Sequence, residues 1–124
     1  MKVIIAGGRD FNNYSLVEKE VDRILTGITD IEVVSGAARG ADNLGTVYAR
    51  HHGYAVRTFI ADWELYGKSA GFARNGDMAA YAKGDGMLIA FWDGKSSGTR
   101  HMISIAKSTG LTVHVFNYTK KELV

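Results

Sequence analysis

The sequence contains no cysteine and no proline. Without cysteine it can form no disulfide and supplies no thiolate for catalysis or metal binding. That suits a reducing compartment, and a cytoplasmic location is the expectation. Without proline, turns must be made by Gly, Asn and Asp; glycine is plentiful at 15 residues, which leaves backbone amides free to donate. Long apolar runs are also missing. None approaches the ~20 residues of a membrane span, and Val3-Ile4-Ile5-Ala6 after Lys2 is too short for a signal peptide. No membrane partner is expected. Charge of one sign is scarce: 15 Lys+Arg face 13 Asp+Glu, a formal net charge of +2. The adjacent basic pair Lys120-Lys121 lies in the tail. A dedicated duplex-DNA binder carries a denser basic stripe, so the balance admits anionic ligands without demanding nucleic acid. The histidines lack zinc spacing. His51 and His52 are adjacent, and His101 and His114 are isolated. No metal and no cofactor are expected.

What is present is alternation. The chain has 124 residues, which suits one domain spanning 1–124. Short apolar runs predict strands at 2–6, 31–34, 56–60, 87–91 and 111–116. Between them, apolar residues at helical spacing predict helices. The first runs from Ser15 to about Gly27, with Ser15 as N-cap, Glu18 completing a capping box and Gly27 as C-cap. The second runs from Asp42 to His52, with Leu44, Val47, Tyr48 and His51 on one face. The third covers Ala70–Ala82, where Gly76 costs about 1 kcal/mol relative to alanine. The fourth runs from Thr99 to Ser108, with Met102, Ile103 and Ala106 inward. The tail from Asn117 reads as polar and frayed. Strand alternating with helix implies an α/β fold: a Rossmann-like, doubly wound, mostly parallel sheet of about five strands. Such sheets bind ligands beyond the carboxyl ends of their strands.

Four loops occupy those ends. The first is Gly7-Gly8-Arg9-Asp10. Its glycines allow close backbone approach, and Arg9 offers a fork for phosphate; a tight turn with Arg9 paired to Asp10 is the plainer reading. The second, Ser35-Gly36-Ala37-Ala38-Arg39-Gly40-Ala41-Asp42, runs into a helix and so forms a dipole-backed anion site. It is neither a Walker A sequence nor a good GxGxxG, and Asp42 could be only an N-cap. The third, Ala61 to Gly71, is long for a βα loop. Trp63 and Tyr66 could stack on a base or pin the loop, Lys68 adds charge, and Arg74 and Asn75 follow on the next helix. The fourth, Trp92-Asp93-Gly94-Lys95-Ser96-Ser97-Gly98-Thr99, repeats the small-residue entry into a helix.

Taken in order, Gly7-Gly8-Arg9-Asp10, the Ser35–Asp42 loop, Ala61-Asp62-Trp63, Gly67-Lys68, Ala73-Arg74-Asn75-x-x-Met78 and Asp93-Gly94-Lys95-Ser96-x-Gly98-Thr99 resemble the SLOG superfamily, closest to its YspA-like branch. The resemblance runs from Val3 to about Val115. It implies a Rossmann-like domain binding a nucleotide-derived small molecule, and a homo-oligomer. The LOG enzymes of the superfamily cleave N-glycosidic bonds. Their Arg-Lys-x-x-Met segment is similar to Arg74-Asn75-Gly76-Asp77-Met78, with asparagine for lysine. Their Gly-Thr-x-x-Glu segment is matched at Gly98 and Thr99, but the catalytic glutamate position falls on Met102. Glycosidic cleavage needs a carboxylate beside its cationic transition state. The expectation is therefore a binding module, without catalysis. Its loops (Gly7, Gly8, Arg9, Asp10; Ser35, Gly36, Ala37, Arg39, Gly40, Asp42; Trp63, Lys68; Trp92, Asp93, Gly94, Lys95, Ser96, Gly98, Thr99), with Arg74 and Asn75, would hold a phosphate-bearing nucleotide, a defence or signalling nucleotide being one form. A hydrolase using Arg74 with Asp77 or Asp93 is the alternative. Single-stranded nucleic-acid binding is a further one.

Overall fold

In the computed structural model, residues 1–119 and 122–123 are described. The chain runs β1 (Lys2–Gly7), α1 (Tyr14–Leu25), β2 (Glu32–Ser35), α2 (Ala41–His52), β3 (Ala55–Thr58), α3 (Trp63–Tyr66), a 3-10 turn (Gly67–Ser69), α4 (Ala70–Ala82), β4 (Met87–Trp92), α5 (Ser97–Thr109), β5 (Thr112–Asn117) and β6 (Glu122–Leu123). The sheet order is β3-β2-β1-β4-β5-β6. The five longer strands are parallel, as the alternation predicts. A sixth, antiparallel strand adds to them, with Phe116 beside Leu123. The expected frayed tail is thus corrected: β5 continues to Asn117 and β6 pairs against it, while positions 120, 121 and 124 lie outside the described residues.

Period-two alternation along β1 divides the core. Val3 and Ile5 join Val17, Val21 and Tyr48 on the α1–α2 face. Ile4 and Ala6 join Met78, Met102 and Ala106 on the α4–α5 face. Strands covered on both faces read as continuous apolar runs, and β1 and β4 do. Each aliphatic side chain fully buried this way contributes about 1.5–3 kcal/mol.

Three local expectations are corrected. Asn13, not Ser15, caps α1, its side chain accepting from the Leu16 amide at 3.1 Å. The helix ends at Leu25 with Thr26 as C-cap, and Gly27 follows with φ 80. Asn and Ser cap equally well in isolation, so chain geometry decided. The inward face of α2 is Ala41, Asp42, Gly45, Tyr48 and Ala49. Tyr48 is inward as expected and Leu44 packs half-buried against the core, but His51 is exposed, and small residues take the closest positions because α2 lies close on β1. A Cβ at Gly45 would stand 2.7 Å from the Ile5 Cβ.

Candidate functional site

The strand order reverses at β1, whose neighbours β2 and β4 are reached by crossovers on opposite faces of the sheet. A crevice opens there at the carboxyl ends of the strands. Gly7 and Gly8 let the first loop lie directly on β4. The Gly8 amide donates to the Phe91 carbonyl at 3.1 Å, and a Cβ on Gly7 would stand 2.1 Å from that oxygen. The second loop is stitched onto the first. The Ala41 amide donates to the Gly8 carbonyl at 3.1 Å, and Gly40, with φ 79, has space for no side chain against it.

Over this seam lies a cleft of about 440 Å³, within the ~300–1,000 Å³ usual for small-molecule sites. Its floor is apolar: Ala6, Met78 and Met102, with the two methionines 1% exposed. Arg9, Lys68 and Arg74 bring positive charge to its walls. The start of α5, Ser96 to Thr99, forms one side. Among the described residues no side chain caps this helix, and its first turn holds no acidic residue. The amides of Ser97, Gly98 and Thr99 occupy the first turn, where a helix has no internal acceptor, so they form a positive socket. Asp93 supports it from behind. Its carboxylate accepts the Lys95 and Ser96 amides at 2.8 Å each, which holds its pKa below the ordinary value. Buried Asn75 ties α4 to the socket, donating to the Gly98 carbonyl at 3.3 Å.

Arg74 sits where the loops meet. Its Nη1 donates to the Gly36 carbonyl at 3.0 Å, while its buried Nε has no hydrogen-bond partner among the described residues. Asp42 lies nearby, 3% exposed, and accepts the Ala38 amide at 3.3 Å. Burial pushes its carboxyl up to about 6, against the opposing pull of Arg74 and of the Ala38 amide. A second hollow of about 420 Å³ adjoins the first on the β2–β3 side, lined by Gly36, Ala37, Arg39, Ile60 and Ala61. Arg9, Ala38, Trp63 and Arg74 line both hollows.

The first cleft therefore gathers Gly7, Gly8, Arg9, Asp10, Asp42, Trp63, Lys68, Arg74, Asn75, Asp93, Ser96, Gly98 and Thr99. Gly36, Ala37 and Arg39 line the second hollow. Ser35 is buried beneath its loop, its hydroxyl accepting the Ala37 amide at 3.2 Å. Gly40 is the stitch described above. Trp92, Gly94, Lys95 and Asp77 line neither hollow. Trp92 is a pin: its indole donates to the Ser96 carbonyl at 3.1 Å. Lys95 and Asp77 are exposed. Asp10 pairs with Arg39 at 3.3 Å, not with Arg9. Sequence reasoning missed Tyr118, which lines the cleft, packs on Phe11 with ring centroids 4.6 Å apart, and would meet a Cβ on Gly8. The rule that strand ends carry ligands would have found it, since Tyr118 follows β5 directly. It also missed Phe72, which lines the wall and stacks on His101 at 4.2 Å. Among the described residues no group of His, Asp and Glu is placed to hold a metal ion, and no helix is long and apolar enough to cross a membrane.

A family model described as the YspA, cpYpsA-related SLOG family matches residues 1–66. The chain is also 35% identical over 118 residues to Gene 61 protein of Mycobacterium phage D29, across 90% of this chain and 93% of that protein. No solved structure matches it.

Proposed function

From the premise that this chain belongs to the YspA, cpYpsA-related SLOG family, we propose that it acts as a single binding domain for a phosphate-bearing, nucleotide-derived molecule seated in the cleft between β1 and β4. One observation carries the reading: an uncapped α5 N-terminus and the cations Arg9, Lys68 and Arg74 converge over an apolar floor. Phosphate takes the amides of Ser97, Gly98 and Thr99, backed by the helix dipole and guanidinium charge. The organic part lies on Met78 and Met102, with Phe72 and Trp63 at the walls. Met102 closes the floor with a thioether, which can neither donate a proton nor stabilise a sugar cation. Binding without turnover follows.

Hydrolysis is the second reading, and one observation favours it. Of the carboxylates lining the cleft, Asp10 is exposed and paired, and Asp93 is engaged by amides. Asp42 remains, buried, with its carboxyl at about 6 beside Arg74. A carboxyl near neutrality is suited to acid–base work.

The test is to incubate the protein with a nucleotide library, denature it, and identify the released small molecules by mass spectrometry. One intact nucleotide at near-stoichiometric yield is expected. Free base with ribose phosphate would overturn the binding reading in favour of hydrolysis, and Asp42→Asn should then stop turnover. Ser97→Asp separates site from fold. An acid in the first turn should stabilise α5 by about 0.3–1 kcal/mol while repelling the ligand at least tenfold. Unchanged ligand recovery in that variant would remove the α5 socket from the proposal.

A further inference from the structure

We infer that the ligand is two-headed: two organic halves joined through phosphate, as in a dinucleotide, with one half in each hollow and the phosphate bridge at the waist between them. The inference rests on the nucleotide-binding reading above and deepens it. The two hollows, of about 440 and 420 Å³, share Arg9, Ala38, Trp63 and Arg74 in their linings. Either alone falls in the range of a small-molecule site. A mononucleotide would leave the second hollow empty, and that hollow has its own recognition chemistry. Ile60, 79% exposed, and Trp63, 53% exposed, offer an apolar and aromatic surface. Arg39 stands at its rim, and its pairing with Asp10 is between side chains 75% and 92% exposed. Such an exposed pair contributes little and exchanges readily for a ligand oxygen.

The waist is where the cations concentrate. Arg9 and Arg74 both face it, and the α5 socket adjoins Arg74 through Asn75. Two guanidinium groups and a row of amides match the two negative charges of a pyrophosphate bridge as well as those of a terminal phosphate. Topology agrees. The sheet order β3-β2-β1-β4-β5 is that of sheets that bind a ligand astride β1, one half over the β2–β3 side and the other over the β4 side. The two hollows occupy those two sides. At the usual phosphate seat of such folds, the helix after β1, one amide is already taken: Leu16 donates to the Asn13 side chain. The α5 socket takes that role.

The experiment is calorimetric titration of the intact protein with nucleoside monophosphates, with NAD⁺ as a pyrophosphate-bridged probe, and with linear phosphodiester-linked dinucleotides. At least one two-headed class should bind tenfold or more tightly than the monophosphate of its own base, and which class does so identifies the bridge. Arg39→Glu, at the rim of the second hollow, should remove most of that gain. Ile60→Ala, a charge-neutral variant lining only the second hollow, should also reduce it and leave the monophosphate affinity within twofold. Monophosphates binding as tightly as every two-headed probe would overturn this inference and leave the nucleotide reading standing. So would both variants weakening the two classes equally. Absence of binding by all classes would overturn both.

Discussion

Two helices, α2 and α5, begin at the same edge of the sheet after loops of small residues and glycine, and neither has a side-chain cap. They do opposite things. The start of α2 is filled by the protein itself: the Gly8 carbonyl takes the Ala41 amide, Gly40 is pressed against that carbonyl, and Asp42 is buried in the first turn. The start of α5 is open. A Cβ on Gly98 would meet nothing within 4 Å, and no acid lies in the turn. Both helix ends carry partial positive charge. At α2 the chain's own carbonyl and carboxylate answer it, which joins two loops; at α5 no acceptor among the described residues does, which leaves a socket for an anion.

Substitutions can break this contrast. Gly40→Ala should have the largest effect. Its Cβ would collide with backbone at 2.2 Å, at φ 79, and a loss of at least ~3 kcal/mol is expected, seen as a collapse of the urea midpoint. Asp42→Asn comes next and depends on pH. The folded protein holds this carboxyl at about 6, above the ordinary 3.8. It therefore binds the proton more tightly than the unfolded chain does. The favourable contribution is complete below the ordinary value and is lost as pH rises through the folded one. Between about pH 4.5 and about pH 8, wild type should lose about 2 kcal/mol relative to the variant. Parallel pH profiles would show that the buried carboxyl is not the source.

Ser97→Pro probes the socket. Ser96, with φ −55 and ψ 124, already has the backbone that precedes proline, and the first helical position tolerates it. Stability should hold or rise by about 0.4–1 kcal/mol, while loss of one amide weakens phosphate binding by an expected ~tenfold, near 1.4 kcal/mol. The smallest effect is Gly98→Ala, which should stabilise α5 by about 0.5–1 kcal/mol. The same glycine-to-alanine change thus has opposite signs at the two helix starts, and thermal unfolding of the two variants side by side would read it.

The contrast also marks where sequence reading runs out. The alternation of apolar runs with helical periodicity sets all five parallel strands and the limits of α4 at Ala70 and Ala82, because both periods are local properties of the chain. The strand-end rule led to Arg9, Arg74, Asn75 and Gly98. It could not separate the two helix starts, since Gly8 reaches Ala41 only through the packed sheet. Nor could it show that Asp42 is buried, that Asp10 turns to Arg39, or that Trp92 pins its loop instead of offering a stacking face. α3, of four residues, is too short to show a period. The inward face of α2 was read only in part: Tyr48 and Leu44 do pack on the core, but close approach also favours Gly45, which a hydrophobic pattern ignores.

The seam between β1 and β4 has a kinetic meaning. Val3 lies beside Met87, so the two strands meet only after the chain between them has closed. The β3-β2-β1 half, with α1 and α2, is built from nearer neighbours in the sequence and can form earlier, since distant pairings are slow. Both walls of the cleft exist only once β4 has zipped onto β1. A ligand that spans both walls therefore has no complete site until that step. It cannot act as a template for the chain, and its effect falls on the lifetime of the native state: bound protein should refold no faster than free protein, but unfold more slowly.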